Sequence, residues 1–307
     1  MKDFEGRVAF ITGGASGAGL GQARVFGRAG AKVAIADVRR DALGEAIMQL
    51  RDEGIDAFAV QLDITDRAAY AAAADRVEAH FGEPVTLLFN TAGVNGFGPL
   101  AAATYSDFDW VLGVNFGGVI NGMQTFVPRM IGAGRGGHVV TVSSMAGFTG
   151  SRSAAVYSAG KAAVINLMES YAIALPEHDI GVSLLCPASI RSNIANALET
   201  RPDALAGGSS FSADPAFVQL QSRLYAGGMD PIELAEHVKD AVEADRFWVL
   251  PFTETRDGLR QHFDGIIAAF DDVNSDPGAA ADRAAAFADY QRDYRTHASR
   301  DRDHPSG

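Results

Sequence analysis

The stretch VAFITGGASGAGL, residues 8–20, passes within a few positions from a strand pattern through a glycine-rich turn to the start of a helix. Val8–Thr12 is short and mostly apolar, as a parallel strand covered on both faces must be. The turn that follows contains four glycines and a serine, and its candidate cofactor residues are Gly13, Ser16, Gly17 and Gly19. Such a turn places backbone N–H groups and the positive end of a helix dipole beside a bound phosphate. The stretch therefore predicts a βα unit that binds the pyrophosphate of a dinucleotide.

The strand pattern recurs along the chain. Six further short apolar runs lie at residues 33–36, 57–60, 85–89, 138–142, 182–185 and 247–250. Helical patterns separate them, for example at residues 41–53, where Leu43, Ile47 and Leu50 share one face. This alternation predicts an α/β fold, a doubly wound parallel sheet of the Rossmann type with about seven strands and helices on both faces.

The sequence predicts one large domain with two less regular regions. Residues 1–252 form the expected dinucleotide-binding catalytic domain, and residues 253–307 form a C-terminal helical extension of that domain, with a frayed polar end. Residues 189–230 contain glycine pairs and no steady period, which is typical of either a disordered surface loop or a substrate lid. We favour the lid, because doubly wound folds bind ligands beyond the carboxyl ends of their strands.

Composition narrows the classes of function. A net charge of −12 argues against a nucleic-acid partner, because phosphate binding needs clustered basic residues. Cys186 is the only cysteine, so no intrachain disulfide can form, and the scattered histidines lack metal-ligand spacing. We therefore expect no metal and disfavour a metal-dependent alcohol dehydrogenase. A signal-peptide pattern and a long apolar stretch are both missing, so we expect a cytoplasmic protein with no membrane partner.

An acidic residue, Asp37, ends the second predicted strand. Its carboxylate can accept hydrogen bonds from the adenosine ribose and would repel a 2′-phosphate about 4 Å away by roughly 4 kcal/mol at an effective dielectric of about 20. This favours NAD over NADP as the cofactor. Arg39 and Arg40 follow closely and can soften the preference, although we interpret them as a solvated helix start.

Tyr157 and Lys161 stand four residues apart at the beginning of a helical stretch. Positions i and i+4 share a helix face, so the phenol and the ammonium project in the same direction. The ammonium and a positive nicotinamide ring would both favour phenolate and lower the pKa of Tyr157, which makes it a candidate acid/base. Ser144 follows the fifth strand and Asn115 lies in a helical stretch, both suited to the same site.

Together these residues resemble the short-chain dehydrogenase/reductase family over roughly the first 250 residues. The resemblance implies that Tyr157 is the acid/base, that Lys161 modulates its pKa and binds ribose, and that Ser144 orients the substrate oxygen. It also implies that Asn115 holds a water between Lys161 and solvent. The further cofactor residues that it implies are Asp63, Ile64, Asn90, Ala92, Gly93, Pro187, Ile190 and Ser192.

A closer resemblance, to the bacterial Cα-dehydrogenases of lignin β-aryl ether degradation, covers nearly the whole chain. The segments that carry it are residues 8–21, 91–95, 107–110, 118–123 and 166–169. It implies oxidation of a benzylic secondary alcohol to a ketone with reduction of NAD, the substrate being a dimer such as guaiacylglycerol-β-guaiacyl ether.

Candidate substrate residues carry less information. Phe97, Met145, Phe148 and Phe211 can form an apolar wall around aromatic rings, although each is more often ordinary packing. Asn95 is a better candidate for a polar contact, because it follows the cofactor-lining loop.

Two alternatives stay open from the sequence. One is a dehydrogenase for another bulky secondary alcohol, such as a hydroxysteroid or a polyol, since it would use the same catalytic residues. The other is a non-catalytic NAD-sensing protein, because fold does not fix function. The apolar surfaces of two long predicted helices, residues 106–130 and 157–175, together with the family resemblance, predict a homodimer or a homotetramer.

Overall fold

Seven parallel strands form one sheet in the described residues, which are 1–206, 215–270 and 276–300 of a computed structural model. The strands are β1 Val8–Thr12, β2 Lys32–Asp37, β3 Ala57–Gln61, β4 Val85–Asn90, β5 Gly137–Val142, β6 Ile180–Leu185 and β7 Trp248–Val249. Their order across the sheet is β3-β2-β1-β4-β5-β6-β7, and every neighbouring pair is parallel. The predicted doubly wound sheet is confirmed.

Helices connect the strands and cover both faces of the sheet. The helices up to β7 are α1 Gly17–Arg28, α2 Arg40–Asp52, α3 Arg67–Phe81, α4 Tyr105–Leu112, α5 Gly118–Ala133, α6 Ala155–Ala174, α7 Asp203–Ala206, α8 Pro215–Ala226 and α9 Pro231–Glu243. Apolar residues of α1, α2 and α9 pack in one buried cluster, and those of α3, α5 and α6 pack in a second. The strands between these clusters are apolar on both sides because neither face meets water.

The strand order reverses between β1 and β4, so their connections leave in opposite directions at the carboxyl edge of the sheet. A crevice opens at such a switch point, and ligands of this fold class bind there. The turn after β1 and the loop after β4 both lie at this edge, and the fold therefore brings together residues that are far apart in sequence.

The segment at residues 189–230 is more regular than its sequence suggests. It contains a 3₁₀ helix, Ile194–Thr200, followed by α7 and α8. A bridge between Ile190 and Met229 closes its base. Short helices held by tertiary contacts need no long hydrophobic period, and the interpretation of the segment as a substrate lid stays a prediction. Phe211 and the glycines at 207 and 208 lie outside the described residues.

The chain divides into two compact units, Met1–Thr255 and Arg256–Gly307. The second contains α10 Arg256–Ala268 and α11 Pro277–Arg300. The polar end, expected to fray, is helical as far as Arg300 because alanine and charged residues there have high helix propensity. None of the helices in the described parts of the chain is both long enough and apolar enough to span a bilayer.

Candidate active site

The backbone of the turn between β1 and α1 packs closely against neighbouring backbone, which leaves no space for side chains at its glycines. Gly13 and Gly17 have φ angles of +65° and +50°, a region that side chains other than glycine rarely adopt. A Cβ on Gly13 would stand 2.9 Å from the Ala92 Cα, and one on Gly19 would stand 2.2 Å from the Gly13 oxygen. The backbone at the amino end of α1 is thus left bare, as a phosphate cradle requires.

At one end of this cradle, Asp37 closes β2 and is 8% exposed. The Arg39 guanidinium donates to both of its carboxylate oxygens at 3.1 Å, and the Arg39 backbone N–H donates to Oδ1 at 3.0 Å. Arg39 also donates to the Ser16 hydroxyl at 2.8 Å. The interpretation of Arg39 as a solvated helix start was therefore wrong, since Arg39 joins the turn after β1 to the end of β2.

A continuous cavity of about 900 Å³ runs from this point across the carboxyl edge of the sheet. Most of the predicted cofactor residues line it: Gly13, Ser16, Gly17, Gly19, Asp37, Asp63, Ile64, Ala92, Gly93, Tyr157, Lys161, Pro187, Ile190 and Ser192. Asn90 does not. Its side chain turns into the protein and donates to the Thr141 hydroxyl at 3.2 Å, since Asn90 still belongs to β4.

The catalytic candidates meet at the other end of the cavity. Ser144 follows β5, and its hydroxyl donates to the Pro187 carbonyl at 3.4 Å beside Tyr157, which lies in the first turn of α6. Lys161, one turn later, is 3% exposed, and its ammonium donates to the Val142 carbonyl at 2.8 Å. The ammonium stands 5.6 Å from the centre of the Tyr157 ring. Ser143 fixes the helix to the strand by donating to the Lys161 carbonyl at 2.8 Å.

Burial dominates the ionisation of this group. It raises the pKa of Tyr157, while the hydrogen bond with Ser144 acts in the opposite direction. Burial lowers the pKa of Lys161 to about 8, because a desolvated ammonium is destabilised. In the protein alone the effect of burial therefore dominates, and the lowering expected from the ammonium together with a nicotinamide ring stays a prediction. A cationic ring beside the phenol would supply that stabilisation.

Asn115 occupies a π-helical turn, Gly113–Gly117, between α4 and α5. It is fully buried, its Nδ2 donates to the Val94 carbonyl at 2.8 Å, and its Oδ1 accepts from the Val94 N–H at 2.9 Å. The side chain thereby fixes the loop after β4. Asn115 does not line the cavity itself, although a Cβ on Gly93 would stand 3.1 Å from Asn115 Oδ1.

The predicted substrate residues divide into two pairs. Asn95 and Met145 line the cavity, whereas Phe97 and Phe148 do not. Phe148 packs instead against Trp248 of β7, with ring centres 5.8 Å apart. The lining residues that sequence reasoning missed include Trp110, Arg201, Leu205 and Tyr225. Trp110 lies on α4 and the other three lie on the segment after β6, so no local motif connects them.

The arrangement fits a nicotinamide dinucleotide. The bare turn after β1 suits a pyrophosphate, Asp37 lines the cavity at the end of β2, and Ser144 and Tyr157 line the far end of the same cavity. In the described residues, no cluster of three or more His, Cys, Asp or Glu side chains is arranged to hold a metal ion.

Comparison with known proteins agrees with this geometry. The model of the short chain dehydrogenase family matches residues 7–203. The chain belongs to this family. Its members are oxidoreductases that use NAD(P), and the predicted enzyme class is therefore confirmed.

Individual relatives are similar over nearly the full length. C alpha-dehydrogenase of Sphingobium sp. (strain NBRC 103272 / SYK-6) is 53% identical over 293 residues, 95% of this chain and 96% of the relative. The apo crystal structure of LigD from Sphingobium sp. strain SYK-6 is 50% identical with a TM-score of 0.74, over 89% of this chain and all of that chain. A short chain dehydrogenase from Burkholderia phymatum in complex with NAD is 33% identical with a TM-score of 0.83, over 90% of this chain and 99% of that chain.

Proposed function

We propose that the protein oxidises the benzylic Cα-hydroxyl of β-aryl ether lignin dimers, such as guaiacylglycerol-β-guaiacyl ether, to the ketone with reduction of NAD. The observation that carries this proposal is the 53% identity with C alpha-dehydrogenase over 95% of the chain. The cavity supports it, because 900 Å³ is within the range of a bulky ligand site and Trp110, Met145 and Leu205 give its wall an apolar character.

In this mechanism Tyr157 takes the proton of the substrate hydroxyl, and Ser144, beside Tyr157, orients the hydroxyl oxygen. A dinucleotide bound in the cavity supplies the hydride acceptor. Lys161 keeps two ammonium N–H groups beyond the one that bonds Val142, and these suit ribose hydroxyls. We assign to Asn115 a water between Lys161 and solvent.

The preference for NAD rests on Asp37. Its carboxylate lies at the ribose end of the cavity and would repel a 2′-phosphate. Arg39 compensates part of this negative charge. The preference for NAD over NADP therefore depends on whether Arg39 stays bonded to Asp37 when the cofactor binds. Asp63 and Ile64 are proposed to flank the adenine, Ala92 and Gly93 to line its ribose, and Pro187, Ile190 and Ser192 to hold the nicotinamide end.

The test is NADH formation from racemic guaiacylglycerol-β-guaiacyl ether, measured beside NADP and beside a hydroxysteroid and a polyol. We expect the dimer with NAD to be the fastest combination, and a reaction that stops near half conversion would reveal selectivity at the carbinol carbon. Faster oxidation of the steroid or the polyol would overturn the substrate assignment. Equal rates with NADP would overturn the cofactor assignment.

We also propose that the protein is a homodimer or a homotetramer. Two apolar side chains on the relevant helices support this, since Tyr105 of α4 is 90% exposed and Ile173 of α6 is 84% exposed. Light scattering of the wild type and of Ile173→Asp tests it: we expect the variant to be smaller. A monomeric wild type would overturn the proposal.

A further inference from the structure

A buried ion pair connects the segment after β6 to the helix before the π turn. The Arg201 Nη1 donates to the Asp107 Oδ1 at 2.6 Å, and the two side chains are 5% and 0% exposed. Asp107 also accepts from the Thr104 backbone N–H at 2.7 Å and from its hydroxyl at 2.8 Å, as the third residue of a capping box at the start of α4. Arg201 is therefore held by a carboxylate that is itself fixed.

Two more contacts fix the plane of the Arg201 guanidinium. Its Nε donates to the Leu205 carbonyl at 2.7 Å, and its central carbon stands 5.3 Å from the centre of the Trp110 ring. Arg201, Leu205 and Trp110 all belong to the wall of the active-site cavity. The guanidinium is thus a rigid part of that wall and not a mobile surface group.

One nitrogen of this guanidinium is left over. Arg201 Nη2 is shielded from bulk water and has no hydrogen-bond partner among the described residues. A buried donor without a partner destabilises the protein, because the donor has lost its hydrogen bonds with water. Nε and Nη1 are taken by protein atoms. Arg201 is among the residues that line the cavity, so a small adjustment of the wall would bring Nη2 to a ligand there.

The chemistry of that partner follows from the charges around it. Asp107 neutralises Arg201, so the pair offers a hydrogen bond without an excess positive charge that would select a carboxylate. Asn95 provides a second observation: it also lines the cavity, is 4% exposed, and its Oδ1 has no hydrogen-bond partner in the part of the chain that the structure describes. The two atoms need an acceptor and a donor respectively, and a neutral hydroxyl can serve as either.

We propose that Arg201 is a specificity-determining residue that donates a hydrogen bond from Nη2 to a hydroxyl oxygen of the substrate. This inference rests on the proposed function. The lignin dimer carries two hydroxyls besides the one that is oxidised: the primary alcohol at Cγ and the phenol. Both present the same chemistry to Arg201, and substrate analogues distinguish them.

The experiment measures kcat/KM for three compounds: the dimer, its analogue without the Cγ hydroxyl, and its analogue with the phenol O-methylated. We expect the wild type to prefer the dimer over one of the two analogues by about 10- to 100-fold, the effect of a hydrogen bond to a charged donor. In the double variant Arg201→Met with Asp107→Asn, which removes both buried charges and retains a capping side chain, that preference falls below about threefold.

A matched control exists on the same segment. Arg191 pairs with Asp230, which caps α9 as Asp107 caps α4, but Arg191 does not line the active-site cavity. Arg191→Met with Asp230→Asn therefore changes kcat/KM of all three compounds by one common factor. Arg201→Lys gives an independent reading, because it keeps a charge for Asp107 but removes the planar fork, and it should also lose the preference.

The outcomes separate this inference from the proposed function. If the Arg201 variants bind NADH and oxidise all three compounds with the wild-type preference, Arg201 only holds the segment to α4 and the inference is overturned. A wild type that shows no preference among the three overturns it as well. If the wild type oxidises none of them, the proposed function itself fails.

Discussion

The two ends of the active-site cavity differ in what forms them: local backbone at one end, and side chains from distant segments at the other. At the ribose and pyrophosphate end, the decisive features are backbone features of one short stretch, with positive φ angles at Gly13 and Gly17 and no space for a Cβ at Gly19. At the substrate end, the wall includes side chains held by distant segments, such as Arg201, whose partner Asp107 is 94 residues away. A site made of local backbone can be read from a motif, whereas a site made of tertiary pairings needs the fold.

The largest effect should come from the junction between the two ends. Tyr157→Phe removes the proton acceptor and keeps the ring, so kcat should fall by about 1,000-fold, within the usual range for loss of a general base. NADH binding, followed by fluorescence, should change little, because the cofactor end keeps its backbone cradle. A variant with more than a tenth of the wild-type rate would contradict the assignment of Tyr157.

The next effect sharpens the description of the ribose end. Asp37→Ser removes the repulsion of a 2′-phosphate and releases Arg39 to bind it, so the ratio of kcat/KM for NAD over NADP should fall by about 100-fold. Asp52→Ser, at the exposed end of α2, is the control and should leave the ratio unchanged. If Asp37→Ser keeps the wild-type ratio, the carboxylate does not set the preference.

A third region, the amino edge of the sheet, lies away from the active site. Protonation there should change the free energy of unfolding and leave catalysis unchanged. His138 on β5 is 1% exposed, and its Nε2 hydrogen-bonds with the Ser183 hydroxyl at 2.8 Å. Ser183 donates its own proton to the Arg246 carbonyl, so His138 carries its proton on Nε2. Burial, aided by the amino-terminal ammonium, lowers the pKa of His138 to about 3, although Asp245 lies 3.9 Å from Nδ1.

The sign of the pH dependence follows directly. Below pH about 6.5 the unfolded chain binds a proton at His138 and the folded chain does not, so the stability contributed by neutral burial is lost as the pH falls toward 3. From pH 6.5 to 5 the loss is about 2 kcal/mol. Urea unfolding of the wild type and of His138→Leu measures it. Equal slopes with pH in the two proteins would contradict the account.

The smallest effect comes from a comparison of two glycines that both lie in helices, Gly19 in α1 and Gly44 in α2. Gly19→Ala forces a Cβ to within 2.2 Å of the Gly13 oxygen, so the cradle must shift and the Kd of NADH should rise by about tenfold or more. Gly44 lies within α2 with nothing within 4 Å of an added Cβ. Gly44→Ala should leave NADH binding unchanged and stabilise the protein by about 0.5–1 kcal/mol. The same Kd for both variants would remove the special role of the turn.

The contrast between the two ends also explains what sequence could predict. The strands, their parallel order and the Gly13–Gly19 turn were predictable, because period and glycine placement are local signals. The meeting of Ser144 with Tyr157 was predictable from the family pattern. The pair of hydrogen bonds from Arg39 to the Asp37 carboxylate could not be predicted, because a charged residue at the start of a helix is usually solvated.

At the substrate end, the phenylalanines that the sequence suggested, Phe97 and Phe148, do not line the cavity. Phe148 packs on Trp248, while Tyr225 lines the cavity from a helix without a recognised motif. Trp110 also lines it, although segment 107–110 indicated only the resemblance and no substrate contact. The pairing of Arg201 with Asp107 is invisible in sequence because it depends on how the segment after β6 folds back over α4. Helical structure in that segment was missed for the same reason.

The most direct test of the central claim uses the dimer with deuterium in place of hydrogen at Cα. The account predicts that the NADH formed carries that deuterium, that the organic product is the Cα ketone, and that Tyr157→Phe forms almost none of either. Unlabelled NADH, or a product altered at any carbon other than Cα, would contradict the assignment of this protein as a dehydrogenase of the benzylic alcohol.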